Sequence, residues 1–209
     1  MPPFPTLSQH DLERLERSEN TAYALRSADW SLMYANAAWA HFAIDNDAPE
    51  LATDLDQCSI LERIAPPLRE FYRQLFERVV ASGVPEDHEY FCHSSQLHRR
   101  FRMRVTPIDQ GVLIVHHRVV EHAHEAESRA PCDDTYVADD GFAVQCCHCR
   151  NTQRVHEPDT WDWVPAYLDP ARPDVSHGLC PICFAHYFPA AARSYALERN
   201  RSHRGRRDS

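Results

Sequence analysis

The stretch PPLREFYRQLFERVVAS, residues 66–82, carries the strongest periodic pattern in the chain. Its apolar residues recur at spacings of three and four, which places them on one face of a helix. These residues are Leu68, Phe71, Tyr72, Leu75, Phe76, Val79 and Val80. Pro66 is typical of a helix start, and Gly83 followed by Pro85 is typical of a helix end. The sequence therefore predicts a helix over residues 66–82 that buries one face in a core.

Segments with the composition of strands lie on both sides of this helix. Three follow it, at residues 89–93, 97–106 and 111–120. Two precede it and predict a hairpin, at residues 21–28 and 31–34. Asn36 is placed to cap a helix over residues 37–44, and Ser8 with Asp11 has the spacing of a capping box. This order predicts an α+β fold in which an antiparallel sheet carries helices on one face.

Two of these regions resemble parts of a PAS domain, the small sensor module of signalling proteins. Residues 23–38, YALRSADWSLMYANAA, resemble its entry hairpin, which ends in Asn at a helix start. Residues 101–108, FRMRVTPI, and 111–115, GVLIV, resemble its exit strands. The resemblance implies a PAS-like sensor or dimerisation domain, to which we assign residues 8–120.

The PAS resemblance also bears on cofactors. The helix over residues 66–82 contains no His where haem-binding relatives offer one, and neither Cys58 nor Cys92 has the Asn-Cys-Arg-Phe-type setting of flavin-binding light sensors. His116 and His117 are neighbours on a predicted strand and face opposite ways, so we expect structural or surface roles for them. The sequence disfavours haem and flavin, and it leaves the PAS ligand open.

Composition and charge exclude several function classes. All 22 basic residues are Arg, so Schiff-base chemistry and a P-loop Lys are excluded, and the five Gly residues form none of the Gly-rich nucleotide or hydrolase motifs. We therefore expect that the protein is not an enzyme. The net charge of −9 disfavours nucleic-acid binding by the folded part. The chain has no signal-peptide pattern and no run of 18 apolar residues, so we expect a cytoplasmic protein without membrane contact.

Two pairs of cysteines have the spacing of metal ligands. Cys146 and Cys149 form one C-x2-C pair, and Cys180 and Cys183 form another. Two residues between a pair of Cys let a tight turn direct both sulfurs to one Zn²⁺ ion, and four thiolates complete its tetrahedral shell. Such a closed site is structural rather than catalytic. A thiol redox sensor remains an alternative, because C-x2-C is also a dithiol motif.

The second cysteine pair lies in a longer motif. Residues 176–183, SHGLCPIC, with the aromatic residues Trp163 and Tyr167 before them, resemble a cysteine module at the C-terminal end of bacterial PAS-type and response-regulator signalling proteins. The resemblance implies a treble-clef-like zinc module with Cys146, Cys149, Cys180 and Cys183 as ligands. His148 inside the first pair leaves the ligand register open there, and His177 is either an alternative ligand or a supporting residue.

The chain is thus predicted to consist of four parts. They are a PAS-like domain at residues 8–120, an acidic linker at 121–140, a four-cysteine zinc module at 141–192 and a basic, flexible tail at 193–209. We expect a bacterial signalling or regulatory protein with a protein partner and a homodimer through the PAS-like part. The alternative is a zinc-finger regulator that binds nucleic acid through the Arg-rich tail.

One further surface stands out in the PAS-like part. Arg100, Arg102 and Arg104 alternate with apolar residues and therefore share one face of a strand. Cross-strand pairing with acidic residues on a solvated face is the ordinary role of such side chains. The functional alternative is a surface for an anionic ligand or an acidic partner.

Overall fold

The computed structural model describes residues 7–45, 49 and 59–194. The chain divides into two compact units, each of which is described by itself. Unit 1 comprises Met1–Cys92 and His98–Ala123, and unit 2 comprises His93–Leu97 and His124–Ser209. The arginines of the predicted basic tail lie outside the described residues, except for Arg193. Within the described ranges, no helix is long and apolar enough to span a membrane.

Unit 1 is a mixed α+β unit built on a five-stranded sheet with the order β2-β1-β5-β4-β3. The strands are β1 (Thr21–Arg26), β2 (Leu32–Ala35), β3 (Glu86–Phe91), β4 (Leu97–Ile108) and β5 (Gly111–Ala123). The pairs β1–β2, β1–β5 and β3–β4 are antiparallel. The expected antiparallel sheet with helices is therefore present, and β3 begins at Glu86, ahead of the predicted residue 89.

Four described helices accompany this sheet, and they are α1 (Gln9–Glu16), α2 (Ala37–Asp45), α3 (Ile60–Arg63) and α4 (Pro66–Ser82). The predicted helix over residues 66–82 is confirmed, and it ends at Gly83, whose φ of 71° lies in the left-handed region that glycine adopts easily. The capping box at the start of α1 is also confirmed, because the Ser8 hydroxyl accepts from the Asp11 N–H and the Asp11 carboxylate accepts from the Ser8 N–H.

The core of unit 1 lies between the helices and one face of the sheet. Leu75, Phe76 and Val79 of α4 pack in one cluster with alternate residues of the strands, such as Met103 and Val105 of β4. Phe76 is 1% exposed. Side chains alternate along a strand, so the intervening arginines of β4 lie on the opposite face.

Asn36 connects the hairpin to helix α2. Its side-chain Oδ1 accepts from the N–H groups of Ala22 and Trp39, at 3.0 and 3.1 Å. Its Nδ2 donates to the backbone oxygens of Leu15 and Asn20, both at 2.9 Å. One buried amide therefore satisfies four backbone groups, and its predicted role as a helix cap is confirmed by the bond to Trp39.

Unit 2 contains a small four-stranded sheet with the order β8-β7-β6-β9. Its strands are β6 (Ala143–Cys146), β7 (Thr152–Gln153), β8 (Trp161–Asp162) and β9 (Val175–Gly178), with helices α5 (Asp133–Tyr136) and α6 (Pro181–Tyr187) and a 3₁₀ turn at Pro165–Tyr167. Strands β6 and β9 pair in parallel, whereas β6–β7 and β7–β8 are antiparallel.

Residues 121–140, predicted as a linker, contain regular structure. Strand β5 continues to Ala123, and α5 lies within the segment. Tyr136 at the end of α5 is 4% exposed and packs with Val164 and Tyr167. A single buried aromatic residue in an acidic stretch leaves no periodic signal in the sequence.

Candidate metal centre and polar sites

The two cysteine pairs lie at the ends of regular elements in unit 2. Cys146 is the last residue of β6, and the following turn is closed by a bond from the Arg150 N–H to the Cys146 oxygen at 3.0 Å. Cys180 is the N-cap of α6, and its sulfur accepts from the N–H of Cys183 at 3.5 Å. Pro181 at the first helical position favours the start of the helix there.

The parallel pairing of β6 with β9 brings the pairs together. Cys146 is opposite Gly178, two residues before Cys180. The Cys180 N–H donates to the Cys146 sulfur at 3.4 Å. The four sulfurs of Cys146, Cys149, Cys180 and Cys183 all lie within 4.8 Å of one another, and we call these residues the four-cysteine group. The structure thus brings together the four residues that the sequence predicts as metal ligands.

The geometry of the four-cysteine group fits a tetrahedral metal ion. The Cys149 and Cys180 sulfurs are 3.7 Å apart. This distance is too long for a disulfide of about 2.05 Å. Four sulfurs at about 2.3 Å from one Zn²⁺ ion would lie roughly 3.8 Å apart, which is the edge of a regular tetrahedron. The donor set therefore suits zinc.

The sulfurs of the four-cysteine group shift one another's pKa in opposite directions. Hydrogen bonds with the other three thiols, of which the bond with Cys149 has the largest effect, lower the pKa of Cys146. Hydrogen bonds with the other three cysteines, of which the bond with Cys146 has the largest effect, raise the pKa of Cys183. The four sulfurs compete for protons, and a bound Zn²⁺ ion would replace those protons and stabilise the thiolates.

Neither His148 nor His177, the two predicted alternative ligands, belongs to the four-cysteine group. His148 is 3% exposed and packs edge-on against Tyr187, with ring centroids 4.9 Å apart. Burial lowers the pKa of His148 to about 4. His177 is paired with Gln145, whose side chain faces away from that of the next residue, Cys146. His177 is therefore on the sheet face opposite the Cys146 sulfur.

The aromatic neighbour of the cysteines was missed at the sequence level. Trp161 packs against the buried cysteine cluster. Trp163, which the motif resemblance singles out, instead stacks on His124, with ring centroids 3.7 Å apart. Residues two apart on a regular strand share a face, but β8 ends at Asp162, so strand alternation does not extend to Trp163. The two rings therefore reach different neighbours.

The predicted arginines lie on the exposed face of the sheet in unit 1, and each is close to a carboxylate. Arg100 and Arg102 both lie near Glu89, at 3.4 and 3.1 Å, and Arg104 contacts Asp87 at 3.1 Å. These are cross-strand partners on β3 and β4. Exposed ion pairs of this kind contribute about 0–1 kcal/mol each.

A polar chain on the core side of the same sheet was also missed. His116 lies between two tyrosines, with the Tyr90 hydroxyl 2.7 Å from Nδ1 and the Tyr23 hydroxyl 3.1 Å from Nε2. Burial, followed by the charge of His117, lowers the pKa of His116 to about 3. Burial also raises the pKa of Tyr23. At neutral pH His116 is therefore uncharged, and it can donate to only one of the two tyrosines.

Comparisons with known proteins give structural neighbours only. No family model matches the chain, and no curated protein matches it. The crystal structure of the phage VqmA–DPO complex is similar with a TM-score of 0.37 and 10% sequence identity, over 52% of this chain and 51% of that chain. A domain assigned to a putative light and redox sensing histidine kinase from Haloarcula marismortui is similar with a TM-score of 0.33 and 14% identity, over 54% of this chain and 100% of that chain. The match thus spans about half of the VqmA chain.

Proposed function

We propose that this chain is a non-enzymatic signalling or regulatory protein in which a PAS-like unit accompanies a structural zinc site. The observation that carries the proposal is the gathering of four cysteine sulfurs within 4.8 Å of one another. Four thiolates leave no coordination position for a water or substrate, so the zinc ion would stabilise the fold of unit 2 rather than perform chemistry.

The PAS-like role of unit 1 is supported by its sheet with helices packed against one face and by the sequence resemblance. Signal output would pass to a protein partner, and unit 1 would form a homodimer. The mass of the protein in solution, measured by light scattering, tests the dimer, and a monomer at all working concentrations would contradict it.

Elemental mass spectrometry on protein purified without added metal tests the zinc site. We expect about one zinc ion per chain in the wild type, and a strong loss in the double variant Cys180→Ser, Cys183→Ser. Cys132→Ser is the matched control, because Cys132 is an exposed free cysteine outside the four-cysteine group. Wild-type protein without metal, with its cysteine pairs oxidised, would contradict the zinc proposal and favour a thiol redox sensor.

A further inference from the structure

A groove of about 290 Å³ lies on the exposed face of the sheet in unit 1. Its lining comes from the three neighbouring strands β3, β4 and β5, and it consists of Asp87, Arg102, Arg104, His117 and Val119. Three of these five side chains carry nitrogen donors, and only one is a carboxylate. Side chains with hydrogen-bond donors therefore outnumber carboxylates in the lining of the groove.

Many of those donors have no partner among the described parts of the chain. Arg104 uses Nη1 for both oxygens of Asp87, at 3.2 and 3.1 Å. Arg102 uses Nη2 for Glu89 at 3.1 Å. Each guanidinium has five N–H donors in a planar fork, so most of its donors stay available. The ring of His117 makes no hydrogen bond or ion pair within the residues that the structure describes.

The charge of this region contrasts with that of the whole chain. The arginines at positions 100, 102 and 104 face two carboxylates, Asp87 and Glu89, on a protein whose net charge is −9. The side chains of Arg102 and Arg104 are 50% and 51% exposed. Exposed pairs of this kind are weak and exchange readily with other carboxylates.

We propose that this groove binds an extended acidic segment of a partner protein, with carboxylate side chains at alternate positions. Arg102 and Arg104 are two residues apart on β4, a separation of about 6.8 Å, and alternate side chains of an extended peptide repeat at the same distance. The side chain of Val119 on the neighbouring strand β5, 39% exposed, offers an apolar contact beside the charges. This binding is independent of the zinc site.

The open position of the groove favours a peptide over a single small anion. One carboxylate gains little from a solvated guanidinium, because water screens the attraction. A segment with several carboxylates makes several such contacts, and the entropic cost of binding the segment arises only once.

Fluorescence anisotropy on the full chain tests this inference. The probe is a fluorescein-labelled decapeptide of alternating Glu and Thr, and its control has Gln in place of Glu. We expect the Glu peptide to bind and the Gln peptide not to bind, with affinity that falls as salt is added. Displacement of the peptide by equimolar acetate or phosphate would instead indicate a small-anion site and overturn the peptide proposal.

Three variants locate the binding. Arg102→Gln, Arg104→Gln should weaken binding about three- to tenfold, whereas Asp87→Asn should strengthen it by removing the competing carboxylate. Arg118→Gln is the matched control, because Arg118 is an exposed arginine of β5 that does not line the groove. Thermal unfolding and hydrogen exchange in α4 confirm that unit 1 of each variant is folded. Equal affinity in all variants, or no binding of the Glu peptide to the wild type, would overturn the proposal.

Discussion

Unit 1 buries one large cluster of fourteen hydrophobic side chains, whereas the two buried clusters described in unit 2 contain three residues each, and one of these consists only of cysteines. A fully buried aliphatic or aromatic side chain contributes about 1.5–3 kcal/mol, so unit 1 has a substantial hydrophobic driving force and unit 2 has little. Small domains with little core are commonly stabilised by a metal. The two units should therefore be destabilised by different perturbations.

Metal removal is expected to produce the largest difference in stability between the two units. Binding of structural zinc is worth about 10–16 kcal/mol in small zinc domains, so a strong chelator should unfold unit 2 and leave the core of unit 1 intact. Hydrogen exchange measured by mass spectrometry reports each unit separately. We expect loss of protection in peptides that contain β6, β9 and α6, and unchanged protection in those that contain α4. Equal loss of protection in both units would contradict this difference.

A cavity in the core of unit 1 should destabilise unit 1 and leave unit 2 unchanged. Phe76→Ala removes a ring that is 1% exposed and should cost about 3–5 kcal/mol. The zinc content should not change. Val84→Ala is the control, because Val84 is apolar but 60% exposed and its truncation should cost less than about 0.5 kcal/mol. Urea unfolding measures both, and equal effects of the two substitutions would show that Phe76 is not part of the stabilising core.

Removal of the Asn36 amide should destabilise unit 1 by a smaller amount. Asn36→Ala leaves the Ala22 N–H and the Asn20 oxygen without their side-chain partner, whereas the Leu15 oxygen keeps its bond from the Ser18 N–H. An unsatisfied buried group costs about 1–3 kcal/mol, and partial access of water limits the total to about 2–4 kcal/mol. Asn20→Ala is the control with the same change of residue, because only the backbone of Asn20 forms hydrogen bonds among the described residues. A loss below about 0.5 kcal/mol for Asn36→Ala would refute the role of the amide.

Local signals explain which parts of unit 1 could be predicted. Helix α4 has a strong apolar period with Pro and Gly at its ends, and every one of these signals lies within the helix or next to it. The N-cap role of Asn36 is also local. Its bonds to Leu15 and Asn20 span 21 and 16 residues, and nothing in a single sequence specifies such distant partners.

Unit 2 shows why a site can be predicted when its scaffold cannot. The two C-x2-C spacings match the geometry that a tetrahedral metal requires, and they are visible in the sequence. Strands β7 and β8 have two residues each, too few for any alternation to be seen. The parallel pairing of β6 with β9 is a non-local contact, so the packing of Trp161 on the cysteines was not predictable either.

The last expected effect concerns the pH dependence of unit 1. The pKa of His116 is lowered from its ordinary value near 6.5 to about 3 by burial. Between these values the unfolded chain binds the proton and the folded chain does not, so stability is lost as the pH falls below about 6.5. His116→Gln keeps hydrogen-bonding capacity without a titratable ring and should flatten this part of the pH profile.

His41→Gln is the matched control for that variant, because His41 is an exposed histidine of α2 in unit 1. Urea midpoints at a pH of about 7.5 and about 4.5, on either side of the ordinary histidine pKa, should differ by less in His116→Gln than in the wild type, and by about the wild-type amount in His41→Gln. The core of unit 1 and the four-cysteine group are both acid-sensitive in principle, so the measurement uses hydrogen exchange in β5 to assign the change to unit 1. If the His116→Gln protein keeps the full wild-type pH dependence in β5, the imidazole between the two tyrosines is not the group that limits acid stability in unit 1.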